Sequence, residues 1–178
     1  MIESQSTDWH YRKGTSEPPS DWREIGFTED ETWLIGQTSI GFGDGDDNTV
    51  LDDMQGNYTT VYLRHAFEIG PGEGIPDTLT LRVYVDDGCI VSINDQEVYR
   101  IRVSEGDMSY NDTADWIGNA EWTKYMVKNA SEILTVGTNI LAIHVLNHSK
   151  VSSGNNRSYP DQDRKCQHGM SRRLAYPD

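Results

Sequence analysis

The segment Val83–Val98 constrains the fold more than any other part of the chain. It reads VYVDDGCIVSINDQEV, and within these 16 residues two apolar runs are each followed by a polar turn. Asp86-Asp87-Gly88 and Asn94-Asp95 contain residue types that tolerate tight turns, whereas the β-branched run Ile90–Ile93 favours a strand. Short strands separated by such turns are typical of β-sandwiches. The segment therefore predicts an all-β sandwich.

The whole chain fits one domain of this class. Its 178 residues are enough to bury a core without covalent cross-links. No segment keeps a helical period for more than about two turns, and glycines and prolines interrupt the short apolar runs throughout. We therefore expect residues 1–178 to form a single domain with little helix.

The net charge limits the partners that such a domain can have. It is −14, from 29 acidic and 15 basic side chains. Nucleic acids and anionic membranes are bound by Lys and Arg that neutralise phosphate, so neither is expected as a partner. No stretch approaches the roughly 20 apolar residues that span a bilayer, and the first residues lack a signal-peptide pattern. The acidic excess serves either solubility or the binding of divalent cations.

Strand patterns occur along the rest of the chain. Thr138–Leu146 is almost continuously apolar, which predicts burial on both faces. Ser104–Glu121 is long and polar, and loops of this length are usually functional or disordered. The other predicted elements are an edge strand beginning at Trp9–Tyr11, strands at Tyr58–Phe67, Leu79–Val85, Glu97–Val103 and Trp122–Val127, and a short helical or turn segment at Ala130–Leu134.

Seven motifs follow one another in a characteristic order. They are Trp9 with Tyr11, Trp22, Thr28–Trp33, Gly41–Asp44, Tyr62–Phe67, Asp86–Asn94 and Gly137–Ala142. In this order they resemble the galactose-binding-like β-sandwich (jelly-roll) modules of large secreted bacterial carbohydrate-active and surface proteins. The match covers residues 8–153, and residues 154–178 diverge, which leaves open whether the chain ends in a last strand. The resemblance implies a jelly-roll fold, a multidomain parent protein and a secreted or cell-surface location.

A loop rich in Gly and Asp is the candidate metal site. Asp44, Asp46, Asp47 and Asn48 place several oxygen ligands close together, and Ca²⁺ takes about six to eight oxygens from such loops. The spacing is similar to the start of an EF-hand, but the required Gly and Glu are misplaced and no helices flank the loop. The loop is therefore either a structural Ca²⁺ site or a solvated acidic turn.

Asp86 and Asp87 are candidates for binding Ca²⁺ or sugar hydroxyls, since carboxylates accept hydrogen bonds from vicinal hydroxyl pairs. The alternative is structural, because Asp side chains often cap turns by accepting backbone N–H bonds. The strand geometry argues against a glycosidase pair at these two positions, because adjacent residues of a strand point to opposite faces and cannot flank one glycosidic bond.

Aromatic side chains are the candidates for stacking on a sugar ring. Trp116 is the strongest, because it lies in a polar loop where a core role is hard to assign. Tyr110, Tyr58 and Trp122 are further candidates, although Trp122 begins a strand and also fits a core position. We assign the remaining tryptophans, Trp9, Trp22 and Trp33, to packing along the flank of the sandwich.

Three arginines, one histidine and two cysteines complete the residues of interest. Arg64, Arg100 and Arg102 either contact anionic sugar groups or lie on solvated strand faces, paired with acidic neighbours. His144 is expected to be a hydrogen-bonded core residue, and the histidines show no zinc spacing. The sequence leaves open a disulfide between Cys89 and Cys166.

The hypothesis that follows is a non-catalytic carbohydrate-binding module. It would anchor a larger polysaccharide-active or cell-surface protein to a polysaccharide or oligosaccharide, by stacking on Trp116 with Tyr110 or Tyr58 and by polar groups of the loops. One alternative is a structural or protein-interaction spacer domain. The other is a glycan hydrolase, although no Gly-x-Ser-x-Gly elbow, Cys/His pairing or phosphate loop occurs.

Overall fold

Two antiparallel sheets form the protein in a computed structural model, which describes residues 6–43, 45, 47–117, 121–151 and 168–171. One sheet has six strands in the order β2-β1-β5-β10-β7-β8, and the other has three in the order β11-β6-β9. The strands are β1 (Trp9–Lys13), β2 (Leu34–Gly36), β3 (Ile40–Gly41), β4 (Thr49–Val50), β5 (Thr60–Ile69), β6 (Thr78–Val85), β7 (Gly88–Ile93), β8 (Gln96–Ile101), β9 (Glu121–Lys128), β10 (Gly137–Leu146) and β11 (His168–Ser171). β3 and β4 form a small parallel pair, and Ala130–Glu132 is a 3₁₀ turn. The all-β class is confirmed.

The core lies between the two sheets. Alternate residues of β5 and β10 point inward, as the two-residue period of a strand requires, and they meet Leu79, Leu81 and Val83 of β6. β10 is paired on both sides, with β5 and with β7, and seven of its ten residues are buried. Its predicted burial on both faces is confirmed.

The segment from which the fold was predicted contains two different kinds of turn. Asn94 and Asp95 have φ values of +50° and +70°, the left-handed geometry of a two-residue hairpin, and they join β7 to β8 as predicted. Asp86 and Asp87 do not form a hairpin, because β6 pairs with β9 and β11 whereas β7 pairs with β10 and β8. They connect one sheet to the other.

The edge strands are β2 and β8 in the six-stranded sheet and β11 and β9 in the three-stranded sheet. β1 is not an edge strand, because β2 pairs along its outer side. β11 pairs with β6, so the chain does supply a strand after residue 153. Cys89 is a fully buried free thiol whose pKa is raised to about 12 by burial, while Cys166 lies outside the described residues.

Two long connections cover the outer face of the six-stranded sheet, the face turned away from the three-stranded sheet. The first arm, residues 14–33, joins β1 to β2, and the second arm, residues 102–117, follows β8. In the first arm, Trp22 and Trp33 pack onto Tyr62 of β5, with ring centroids of Trp22 and Tyr62 5.1 Å apart. These irregular segments are thus fixed on the sheet by aromatic burial.

Two buried arginines of the sheet also hold the first arm. Arg12 of β1 donates to the Ser16 hydroxyl at 2.8 Å, to the Glu17 carbonyl at 3.1 Å and to the Thr32 hydroxyl. It therefore contacts both ends of the arm. Arg64 of β5 holds the middle of the arm, at Trp22 and Glu29. Each guanidinium supplies several donors in a fixed plane, which suits the carbonyls of an irregular segment.

Arg64 is 4% exposed, so its expected place on a solvated strand face is wrong. Its Nε donates to Glu29 Oε1 at 2.9 Å, and its Nη1 donates to the Trp22 carbonyl. The guanidinium carbon lies 5.0 Å from the centroid of the Phe27 ring. The charge is therefore buried among partners that belong to the first arm.

The second arm is held by hydrogen bonds to the start of β5 and the end of β10. The hydroxyls of Thr59 and Thr60 each donate at 2.7 Å, to the carbonyls of Asp112 and Tyr110. The Ala114 amide donates to the Asn147 carbonyl at 3.0 Å. Both arms are thus attached to the same strands and face each other across the sheet.

Replacing Arg64 by Met should destabilise the protein strongly, because the carboxylate of Glu29 and the carbonyls of the first arm lose a buried donor. We expect a loss of about 3–5 kcal/mol in the free energy of unfolding, measured by urea denaturation. Arg82→Met is the matched control, because Arg82 is exposed on the other sheet, and it should change stability by less than about 1 kcal/mol. Equal effects of the two substitutions would contradict the role of Arg64.

Candidate functional site

A pocket of about 410 Å³ opens on the outer face between the two arms. Its floor is a row of four residues that the strand register places side by side: Tyr62 of β5, His144 of β10, Ile90 of β7 and Arg100 of β8. In the next row Ser92 lies opposite Ala142. Because both of these side chains are small, the sheet surface is recessed beside the ring of His144.

His144 lies at the centre of the floor. It is 4% exposed, its ring stacks on Tyr62 with centroids 4.3 Å apart, and its buried Nε2 has no hydrogen-bond partner among the described residues. The expectation of a hydrogen-bonded core histidine is therefore wrong. Burial, and then the positive charges of Arg23 and Arg100, lower its pKa to about 3. The imidazole is neutral at physiological pH.

The walls of the pocket come from the two arms. Pro18, Pro19 and Trp22 of the first arm form one wall, and residues 106–108 of the second arm form the other. The arms meet at Glu17, whose Oε1 accepts hydrogen bonds from the Tyr110 amide, at 3.1 Å, and from the Ser109 hydroxyl. This contact bridges the two walls.

Both arginines that line the pocket are already paired with carboxylates. Arg100 donates from Nε to Glu97 Oε1 at 2.8 Å and from Nη2 to Glu97 Oε2 at 2.7 Å, and the hydrogen bond with Glu97 raises the pKa of Arg100. Arg23 donates to Asp95 Oδ1 at 2.8 Å. Arg100 is the one predicted ligand-binding residue that lines this pocket, and it does so as a partner of Glu97.

The predicted stacking residues are dispersed. Tyr58 is 3% exposed and donates to Asp53 Oδ1 at 2.9 Å, so it is a core residue and not a stacking platform. Tyr110 is half-buried and packs against the first arm beside the pocket. Trp122 is 40% exposed, so it is not a core residue, and it lies on the three-stranded sheet. Trp116 is 57% exposed on the second arm and does not line the pocket.

The aspartate pair has a structural role in the connection between the sheets. Asp87 is 2% exposed, and its Oδ2 accepts the backbone N–H of His148 at 2.7 Å. Its carbonyl accepts a hydrogen bond from Arg102, whose Nη2 also donates to the Val85 carbonyl at 3.0 Å. Asp86 is half-buried in the same connection. These contacts support turn stabilisation by Asp87, the structural alternative, and they place Arg102 in the fold rather than at a ligand.

The predicted metal loop is described only in part. Asp44 and Asp46 lie outside the described residues. Asp47 is half-buried, and Asn48 donates from its side-chain nitrogen to the Thr38 carbonyl at 2.8 Å. Among the residues that the structure covers, no group of three or more His, Cys, Asp or Glu side chains is arranged to hold a metal ion. Calcium at this loop stays a prediction.

Nothing helical in the described part of the chain has the length and apolarity that crossing a membrane requires. No protein-family model matches the sequence, and no curated protein matches it.

Solved structures of glycoside hydrolases are similar to the chain. A β-glucuronidase of Bifidobacterium dentium aligns with 82% of it at 16% identity and a TM-score of 0.49. A β-glucuronidase from glycoside hydrolase family 2 aligns with 82% at 20% identity and a TM-score of 0.48, and a β-glycosidase of Bacteroides vulgatus aligns with 83% at 12% identity and a TM-score of 0.48. The chain spans only 20%, 14% and 17% of these three proteins.

Replacing His144 by Phe should reduce the sensitivity of the fold to acid. The folded pKa of about 3 lies below the ordinary 6.5, so between these values the unfolded chain binds a proton that the folded chain does not. The stabilising contribution of neutral His144 is present above about pH 6.5 and is lost as the pH falls toward 3. Urea denaturation at several pH values should therefore show a smaller acid loss in His144→Phe than in the wild type, and parallel curves would contradict the assignment.

Proposed function

We propose that this chain is a non-catalytic carbohydrate-binding domain whose sugar site is the pocket between the two arms. In this role it anchors a larger carbohydrate-active protein, secreted or on the cell surface, to a glycan. The observation that carries the proposal is the pocket itself, in which a buried imidazole without a hydrogen-bond partner lies among aromatic rings and paired polar groups.

The size and lining of the pocket suit a small part of a glycan. Its volume of about 410 Å³ lies in the lower part of the range of about 300–1,000 Å³ that is usual for ligand sites. A sugar ring needs an apolar surface for its C–H face and polar groups for its hydroxyls. Pro18, Pro19 and Met108 provide the first, and Ser92, Glu17 and His144 provide the second.

Two of the three carboxylates that line the pocket, those of Glu17 and Glu97, are engaged in building its walls, which supports binding rather than hydrolysis. A glycosidase requires two carboxyl groups that flank the scissile bond, one of them free to donate a proton. Here Glu97 is held by two hydrogen bonds from Arg100, and Glu17 joins the arms through Ser109 and Tyr110. Turnover of a bound glycan would overturn this part of the proposal.

Calcium is included in the proposal as a structural ion of the loop at residues 41–50. The side-chain nitrogen of Asn48 donates to the Thr38 carbonyl. The side-chain oxygen is therefore the atom of this amide that would bind an ion. Carboxylate and amide oxygens are the ligands that Ca²⁺ prefers. An ion held by this loop would be separate from the pocket, because no described residue of the loop lines it.

A second function, protein interaction within a multidomain parent, is favoured by exposed apolar side chains on β9. Trp122, Tyr125 and Met126 are 40%, 42% and 53% exposed. β9 is also an edge strand of the three-stranded sheet as described. Trp122 and Met126 lie on the same face of the strand, and exposed apolar side chains grouped in this way are typical of a surface that contacts another protein.

Filling the mouth of the pocket should abolish glycan binding without changing stability. Ser20 is exposed and lines the pocket, so Ser20→Trp places an indole there at little cost to the core. The measurement is affinity electrophoresis through soluble xylan, mixed-linkage β-glucan and galactomannan, with calcium and with chelator. We expect the wild type to be retarded by one of them and Ser20→Trp to migrate freely with an unchanged melting temperature.

Two controls define the outcomes of this measurement. Ser131→Trp adds the same ring at an exposed position of the 3₁₀ turn and should be retarded like the wild type. Trp116→Ala should also be retarded. If instead Trp116→Ala loses binding while Ser20→Trp keeps it, the site lies on the second arm and not in the pocket. Absence of retardation of the wild type in every gel would favour the protein-interaction function.

A further inference from the structure

We propose that His144 is the specificity-determining residue of the pocket and that its imidazole hydrogen-bonds a hydroxyl of an uncharged sugar. The inference rests on the proposed function and adds to it the group that reads the ligand and the charge class of the ligand.

The first argument is the hydrogen-bonding state of the imidazole. His144 is 4% exposed, and its buried Nε2 has no hydrogen-bond partner among the described residues. A neutral imidazole has one N–H donor and one acceptor nitrogen, and a buried polar group without a partner costs about 1–3 kcal/mol. An unpartnered buried group of this kind is expected where a bound ligand supplies the missing hydrogen bond. A hydroxyl, which both donates and accepts, fits either tautomer.

The second argument is the position of the ring. In the sheet, His144 lies between Tyr62, on which it stacks, and Ile90 on the opposite side. Neither neighbour's side chain gives the buried Nε2 a hydrogen bond, and the pocket lies beside the ring. For packing alone, another apolar residue would continue the sequence of β10, whose neighbours at this point are Ile143 and Val145.

The third argument, for an uncharged ligand, is the charge at the lining. Three carboxylates, of Glu17, Glu97 and Asp107, line the pocket together with two guanidinium groups, of Arg23 and Arg100. Both guanidinium groups are paired, with Asp95 and Glu97. A uronate or a sulfated sugar would therefore meet excess negative charge and no unpaired cation, whereas a neutral sugar meets acceptors for its hydroxyls.

The charged groups around His144 also predict the pH dependence of binding. Arg23 faces the ring from the first arm and Arg100 from β8, and together with burial they hold its pKa at about 3. The other titratable groups of the lining are the phenol of Tyr62, whose pKa is raised by burial, and the carboxylates of Glu17, Glu97 and Asp107. Affinity should therefore be constant between about pH 6 and pH 8. A loss of affinity centred near pH 6.5 would mean that the imidazole protonates in this range and would overturn the inference.

The test is calorimetric titration of the full chain with oligosaccharides of the polysaccharide that retards it in the gels. His144→Phe keeps a ring to stack on Tyr62 and removes both nitrogens, so we expect binding at least about tenfold weaker and an equal or higher melting temperature. His144→Gln restores an amide donor and acceptor and should recover part of the affinity. Polygalacturonate, which carries carboxylates, should not bind.

The outcomes separate this inference from the proposed function. Unchanged affinity of His144→Phe for a glycan that the wild type binds would overturn the inference and leave the carbohydrate-binding function intact. Absence of wild-type binding to any neutral glycan would overturn both. If His144→Phe does not fold, the imidazole ¹⁵N resonances of the wild type decide, because they must shift when the oligosaccharide is added, and unshifted resonances in the complex would contradict a hydrogen bond.

Discussion

The burial of two guanidinium groups on the outer face of the larger sheet is the interaction on which the site depends. Arg12 and Arg64 occupy strand positions that would otherwise face water, and they satisfy carbonyls, hydroxyls and one carboxylate of the first arm. The arm has no strand of its own, so these bonds and the burial of Trp22 and Trp33 determine where it lies. Without them, the wall of the pocket next to Tyr62 would have no fixed position.

The six-stranded sheet supplies the floor of the pocket. β10 is central and apolar, and its one histidine is aligned with Tyr62, Ile90 and Arg100 by the register of four strands. The arms then meet over this row at Glu17. A rigid floor and two attached walls constitute a preorganised site, in which little conformational entropy has to be lost when a ligand binds. This arrangement is why we assign binding to the pocket rather than to the exposed loop at Trp116.

The parts of the fold that follow from local chemistry could be predicted from the sequence. The strand predicted at Leu79–Val85 and the Asn94-Asp95 turn depend on neighbouring residues only, and both were confirmed. Pairing between sheets is not local, so nothing in Asp86-Asp87 distinguishes a hairpin from a connection between two sheets. The site depends on the same nonlocal contacts. Arg64 and His144 each look ordinary in a strand, and their roles arise from an arm that lies far away in the sequence.

The most direct test of the account is chemical-shift mapping by NMR of the 20.1 kDa chain, titrated with a neutral oligosaccharide. If sugar binds on the outer face, the backbone signals of Ser92, Gly106 and His144 shift together and saturate at one concentration. The signals of β6 and β9, on the other sheet, stay in place. Shifts confined to β9 or to the neighbourhood of Trp116, with the floor of the pocket unaffected, would contradict binding at the pocket.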